Sequence, residues 1–196
     1  MRRLRVFISW SGEVSHKVAE ILYEWLLEMK IPSLELFYSN DTEKGAEWFQ
    51  ELKSKLATAD GGIFCMTKDN VTSPWLFFEA GALCVARDEP FMAPFLFRVN
   101  RSEIVGPLTQ YQHTDFNRDS VRELVFSLKR TWGNERPPKS AQSDLQADFE
   151  RLYPELEAKL QAIPEKRDEP KKAPSAEEHR RQVIMDIRKQ LDSLIE

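Results

Sequence analysis

Apolar and polar positions along this chain follow two periods, and the changes between them mark its elements. "RVFISW" (Arg5–Trp10) is a compact β-branched and aromatic run bounded by "SGE", which predicts a buried strand and a turn. Between Val14 and Met29 the apolar residues Val18, Ile21, Leu22, Trp25, Leu26 and Met29 recur at helical spacing, predicting an amphipathic helix that ends before Pro32. "LELFYS" (Leu34–Ser39) predicts a second strand, and "NDTEKG" (Asn40–Gly45) has turn composition. Trp48, Leu52 and Leu56 mark the next helix, and "GGIFCMT" (Gly61–Thr67) a third buried strand. Ser73 as N-cap and Pro74 at the first helical position start another helix. "FMAPFLFRV" (Phe91–Val99) predicts a fourth strand, although Pro94 is awkward in a central one. A short fifth strand is expected in "YQHTDF" (Tyr111–Phe116), and Val121, Leu124, Val125, Leu128 and Trp132 outline a last core helix.

Strand and helix thus alternate four or five times, which implies an α/β fold: a parallel sheet with helices on both faces. The pattern places a first domain at 1–133. A polar linker and a helix-like stretch around Leu145–Leu160 follow at 134–163. The last part, 164–196, is a charged, proline-containing linker and an amphipathic segment with Ile184, Ile187, Leu191 and Leu194 at spacings of three and four. On this reading the tail after Gly133 is dispensable for folding.

Composition narrows the function classes. With 41% hydrophobic and 11% aromatic residues in 196, the chain can bury a real core. Its net charge of −4 comes from mixed signs, which argues against nucleic acid as a partner. No run approaches the roughly 18 apolar residues of a membrane span, and the start lacks an export signal, so a cytoplasmic protein is expected. Cys65 and Cys84 each sit in an apolar stretch and read as reduced core thiols. The three histidines share no ligand spacing with them, so no metal site is expected.

One residue breaks the apolar pattern. In "SPWLFFEAGALCVA" (Ser73–Ala86) Glu79 is the single charge. Burying an ionised carboxylate costs several kcal/mol, or raises its pKa, unless something pairs with it. The bland alternative puts Glu79 on the solvent edge of the helix. Trp75 precedes it by four residues and shares its helix face. An aromatic plane beside a carboxylate suits a planar cationic ring, although Trp75 equally fits a core anchor.

In an open parallel sheet ligands bind beyond the carboxyl ends of the strands. The loops reaching that rim are "SWSGE", "SNDTEKG" and "TKDNVTSPW". Ser9, Trp10 and Ser11 are therefore candidates to line a nucleotide site, with packing as the alternative for Trp10. Asp41 and Lys44 are candidates in a turn where solvated charge is the default. Trp48 can stack on a base or fill the helix stripe of Leu52 and Leu56.

"RVFISWSGE", "LELFYSNDTEKGAEWFQELKSKL" and "GGIFCMTKDNVTSPWLFFEAGAL", in that order and spacing, resemble the bacterial branch of the Toll/interleukin receptor (TIR) domain family over about Arg3 to Trp132. The W-x-x-x-E element within "SPWLFFEAGAL" is the most specific of these. The resemblance implies a flavodoxin-like five-stranded parallel sheet. It also implies cleavage of NAD at the nicotinamide–ribose bond, NAD being substrate and no cofactor being needed. The catalytic role then falls on Glu79, with Trp75, Ser9, Trp10, Ser11, Asp41, Lys44 and Trp48 as candidate substrate contacts. Homo-oligomers formed through TIR–TIR contacts are implied as well, as is a downstream effector that senses a cyclic product. Anti-phage immunity and action on host cells are both roles found in the family. Ser11 and Gly12 stand where many animal relatives carry basic residues, so phosphate contacts there do not transfer.

Two other classes stay open: a non-enzymatic adaptor working by homotypic association, and another flavodoxin-like enzyme attacking a ribosyl carbon, such as a nucleoside deoxyribosyltransferase. A phosphate-receiver module lacks its acidic pair after the first strand. Redox use of NAD and ATP hydrolysis lack G-x-G-x-x-G and P-loop motifs.

Overall fold

The computed structural model describes residues 3–38, 46–130 and 139–165. Its elements run β1 (Leu4–Ser9), α1 (Glu13–Glu28), β2 (Leu34–Tyr38), α2 (Ala46–Thr58), β3 (Gly61–Met66), α3 (Pro74–Ala86), β4 (Phe91–Leu96), β5 (Thr114–Asp115), α4 (Arg118–Arg130) and α5 (Lys139–Gln161). The five strands form one sheet in the order β2-β1-β3-β4-β5, every pair parallel. This is the flavodoxin-like order, with its topological switch between β1 and β3.

Side-chain alternation on the strands divides the core in two. Leu4, Val6 and Ile8 of β1 face a cluster with Val18, Leu22 and Leu26 of α1. Phe7 faces the other side, where Leu52 and Leu56 of α2 and Leu76, Ala80 and Leu83 of α3 pack. The helices therefore cover both faces, as a buried parallel sheet requires. Gly61 allows strands β3 and β4 to approach: a Cβ there would stand 2.1 Å from the Phe91 carbonyl oxygen. Pro94 is tolerated in β4 because β5 pairs only with Phe95 and Leu96, so on that side the ladder begins after the proline.

The compact unit runs to Ile163, well beyond the boundary expected at Gly133. Leu145, Phe149, Leu152, Leu156 and Leu160 follow one face of α5 and are all buried in the α1-side cluster. The Trp25 indole N–H donates to the Leu152 carbonyl oxygen at 3.1 Å, and its ring meets Phe149 edge-on. Arg118 pairs with Glu150, and Arg122 donates to Gln146 at 2.7 Å, tying α4 to α5. At the far end the Arg98 guanidinium donates to the carbonyl oxygens of Ile163 (2.7 Å) and Gln161 (3.1 Å), satisfying the last turn. A tail that supplies this much core does not fit a dispensable one. The linker around Gly133 and the seam of Ile184, Ile187, Leu191 and Leu194 lie outside the described residues.

The two cysteines differ. Cys65 is fully buried in β3, and burial pushes its thiol far above the ordinary range. Cys84 is exposed, contrary to its reading as a core thiol, with Sγ 3.1 Å from the Tyr111 hydroxyl. The reason is that α3 is apolar on all sides, so an apolar neighbourhood in sequence does not mark its buried face. Among the described residues no helix is long and apolar enough to cross a membrane.

The α5 packing makes a quantitative prediction. Phe149→Ala should destabilise the chain by about 3–5 kcal/mol. A chain ending at Asn134 should melt many degrees lower or fail to stay soluble. Thermal melts of both variants check this, and a truncated chain with full stability would show that α5 only decorates the domain.

Candidate functional site

Two elements on either side of the β1/β3 switch build the site. On β1 the alternation that sends Ile8 to the α1 side sends Ser9 to the α2/α3 side, where it is fully buried. On α3 the buried positions are Leu76, Glu79, Ala80 and Leu83, one stripe at helical spacing, and Glu79 is part of it. The carboxylate is 0% exposed, so it does not occupy a solvent edge. Ser9 and Glu79 meet: the Ser9 hydroxyl donates to Oε2.

The electrostatics of the pair follow from burial. Desolvation pushes the Glu79 carboxyl up to about 8 from an ordinary value of 4.5, and hydrogen bonds from Ser9 and the Trp75 indole pull it partly back. No cation among the described residues compensates it. Its second oxygen, Oε1, is buried and accepts no hydrogen bond among them. Burial therefore shifts the group toward its neutral, protonated form near neutral pH. A positive charge placed beside it would favour the carboxylate.

The surrounding turns are fixed by short polar contacts. Gly12, at φ 93°, lets the chain turn from β1 into α1. Ser15 then accepts the Ser11 N–H at 2.8 Å and donates back to the Ser11 carbonyl oxygen at 2.9 Å. Ser73 occupies the N-cap of α3 but makes no capping bond; its hydroxyl instead donates to the Ser11 hydroxyl at 2.9 Å. That bond joins the loop after β1 to the start of α3. Below it, Asn70 closes the turn after β3, accepting the Thr67 N–H at 2.7 Å and donating to the Cys65 carbonyl oxygen at 2.9 Å. Asn70 escaped the sequence reading, although Asn in "TKDN" is the residue type that makes such turns.

The expected substrate contacts separate. Ser9, Ser11, Trp75 and Glu79 come together at the β1/β3 switch. Trp75 is half-buried one turn before Glu79 and packs on Phe78, with ring centroids 5.7 Å apart. Trp10 does not join them. It continues the β1 alternation onto the opposite side of the sheet and stacks on His16 at 4.0 Å and on Tyr38 at 6.3 Å. The packing alternative is the one realised, and period-2 counting from Ile8 is the signal that foretells it. Asp41 and Lys44 lie outside the described residues, as does the side chain of Trp48 on α2. Among the described residues no group of acidic, histidine or cysteine side chains is placed to hold a metal ion.

Burial of Glu79 has a stability cost with a definite pH dependence. The native state binds its proton more tightly than the unfolded chain does, so stability falls as pH rises from about 4.5 to about 8. Glu79→Gln removes that penalty. The melting temperature of the variant should come closest to wild type below about pH 4.5 and exceed it increasingly from there up to about pH 8. Parallel melting curves across that range check the prediction.

Comparison with known proteins puts a family to this arrangement. No curated protein sequence matches the chain. Among solved structures, the TIR domains in the activated Roq1 resistosome directly recognizing the pathogen effector XopQ match at 14% identity and a TM-score of 0.41, over 94% of this chain and 99% of that one. The TIR domain family profile matches residues 6–125, the stretch that contains most of β1, the β1/β3 switch and Glu79. The chain belongs to the TIR domain family.

Proposed function

We propose that this chain cleaves the bond between nicotinamide and ribose in NAD, with Glu79 as the catalytic carboxylate. The observation that supports this reading best is a buried acid with no cationic partner among the described residues, held by two neutral donors at the β1/β3 switch. NAD brings the missing charge in its pyridinium ring. A cation within about 4–6 Å lowers a carboxyl pKa by roughly 1–3, so the substrate itself ionises Glu79. Trp75, one turn away, offers a face on which a cationic ring can stack.

The chemistry needs no second carboxyl. As the C1′–N1 bond breaks, its electron pair moves onto the ring nitrogen and cancels the pyridinium charge. Nicotinamide leaves as a neutral molecule, so no general acid is required. The ribosyl carbon is left oxocarbenium-like, as in glycoside hydrolysis. The Glu79 carboxylate stabilises that charge, with Oε1 available to a ribose hydroxyl. Water adding at C1′ and losing a proton gives ADP-ribose; capture by another atom of the same molecule gives a cyclic isomer. Either outcome suits a signalling role, through NAD depletion or through a product that a downstream effector reads. Because Glu79 is fully buried, substrate access requires local movement, and the Ser11–Ser73 bond joins the loop after β1 to the start of α3.

Association between copies is part of the proposal. It draws support from the α3 surface, where Phe78 and Val85 are 41% and 91% exposed beside an apolar groove shared with Leu56 of α2. The same surface suits a non-enzymatic adaptor, so the NAD assay decides between the two.

Incubation of the purified protein with NAD, with products resolved by chromatography and mass, should yield free nicotinamide. A folded Glu79→Gln variant should lose turnover by ~10²-fold or more. Unchanged turnover in that variant would remove Glu79 from the reaction. For wild type, kcat/KM should rise with pH through about 8, the value set by burial in the free protein. Rate per molecule should also rise with concentration across a hundredfold dilution series. A flat series with a monomer throughout would show that each copy carries a complete site.

A further inference from the structure

Ser9 sits where a residue of the first strand has no reason to be polar. It is 0% exposed, and its side chain points to the α2/α3 side, which is otherwise formed by Phe7, Leu56, Phe64, Met66, Leu76 and Leu83. Alanine, cysteine or valine would fill such a position without burying a hydroxyl. Its Oγ has one described partner, Oε2 of Glu79. The terminal torsion of a Glu side chain is broad and roughly two-fold, so nothing intrinsic to Glu79 fixes the plane of its carboxyl group. A donor on one oxygen does fix it, and it decides which oxygen stays available.

We propose that Ser9 is a positioning residue: by holding Oε2 it sets the carboxylate plane of Glu79 and leaves Oε1 directed to the substrate. The inference rests on the assignment of Glu79 to NAD cleavage, and it changes the role of Ser9 from a residue lining the nucleotide to one acting through Glu79. Three observations support it. Ser9 and Glu79 are both fully buried, so the hydroxyl does not reach solvent or a ligand while the pair is intact. The two oxygens are treated differently, Oε2 accepting from Ser9 and Oε1 lacking a partner among the described residues. The Trp75 indole is the other group whose hydrogen bond favours the ionised form, and no charged group among the described residues of β1, β3, α2 or α3 acts on Glu79. Ser9 and Trp75 are thus the described donors available to stabilise the carboxylate before substrate arrives. The strand register fixes Ser9, the last residue of β1, opposite Phe64 of β3, so the donor is carried by the sheet rather than by a loop.

The test separates positioning from simple packing. Ser9→Ala removes only the hydroxyl, and Ser9→Thr restores one at the same place. The protein is labelled at the side-chain carboxyl carbon of glutamate, and the Glu79 signal is assigned by its disappearance in Glu79→Gln. Carbon-13 NMR then follows its titration. Ser9→Ala should move the midpoint upward by about one pH unit, the size expected for loss of a hydrogen bond to a charged acceptor. The pH profile of kcat/KM should move with it, lowering the rate at pH 7 about tenfold, and Ser9→Thr should bring both back toward wild type. A Glu79 midpoint that stays put in a folded Ser9→Ala protein overturns the positioning role, whatever the turnover. So does a moved midpoint with an unmoved rate profile. Failure of the wild-type protein to cleave NAD at any pH refutes the underlying assignment instead, and the NMR titration then still reports whether Ser9 controls Glu79.

Discussion

A carboxyl group inside the α2/α3 core, with no countercharge among the described residues, is the constraint around which this end of the molecule is arranged. Left unpaired, it would cost several kcal/mol. The fold answers with neutral donors: a serine hydroxyl from the end of β1 and an indole N–H one turn back on α3. Both depend on register. Shifting β1 by one residue would turn Ser9 to the α1 side and bring an apolar side chain to Glu79. Shifting the start of α3 would rotate Glu79 out of the stripe formed by Leu76, Ala80 and Leu83. The Asn70 turn and the Ser11–Ser73 bond hold the segments that set these registers.

The arrangement leaves the site poised rather than fully satisfied. Neutral donors reduce the penalty on Glu79 but do not cancel it, and its carboxyl remains pushed up to about 8. A protein cation nearby would have relieved that strain and also neutralised the attraction for a cationic ligand. Burying the acid away from any described countercharge disfavours its ionised form and leaves it responsive to a positive ring, the kind of exchange found at functional sites. During cleavage the ring loses its charge while the ribosyl carbon gains one. A fixed carboxylate close to the sugar then stabilises the product of charge migration more than the ground state.

Much of this was legible in the sequence because the sheet is buried on both sides and its strands are short apolar runs. "RVFISW", "GGIFCMT" and Ser73–Pro74 locate β1, β3 and the start of α3 within a residue or two, and Glu79 stands out as the one charge in its segment. Direction was harder to read. α3 is apolar all round, so the pattern that reveals Glu79 conceals which face is buried, and the exposure of Cys84 is hidden for the same reason. Trp10 illustrates the opposite case: alternation from Ile8 determines its side of the sheet, yet proximity in sequence to Ser9 grouped the two. The docking of α5 was hidden because its apolar stripe of Leu145, Phe149, Leu152 and Leu156 has a helical period whether it packs on its own domain or on a partner. A polar linker before it suggests separation, and only tertiary contact with Trp25 reveals the join.

Proton release on ligand binding tests the central claim, that Glu79 is a buried neutral acid waiting for a positive ring. Calorimetric titration with a non-cleavable NAD analogue that keeps the pyridinium charge, repeated at pH 7 in buffers of different ionisation enthalpy, counts the protons set free. The account predicts release of about one proton per site, absent in Glu79→Gln and absent for the uncharged dihydronicotinamide form. Binding of the cationic analogue with no buffer dependence, or with the same proton count in Glu79→Gln, would contradict it.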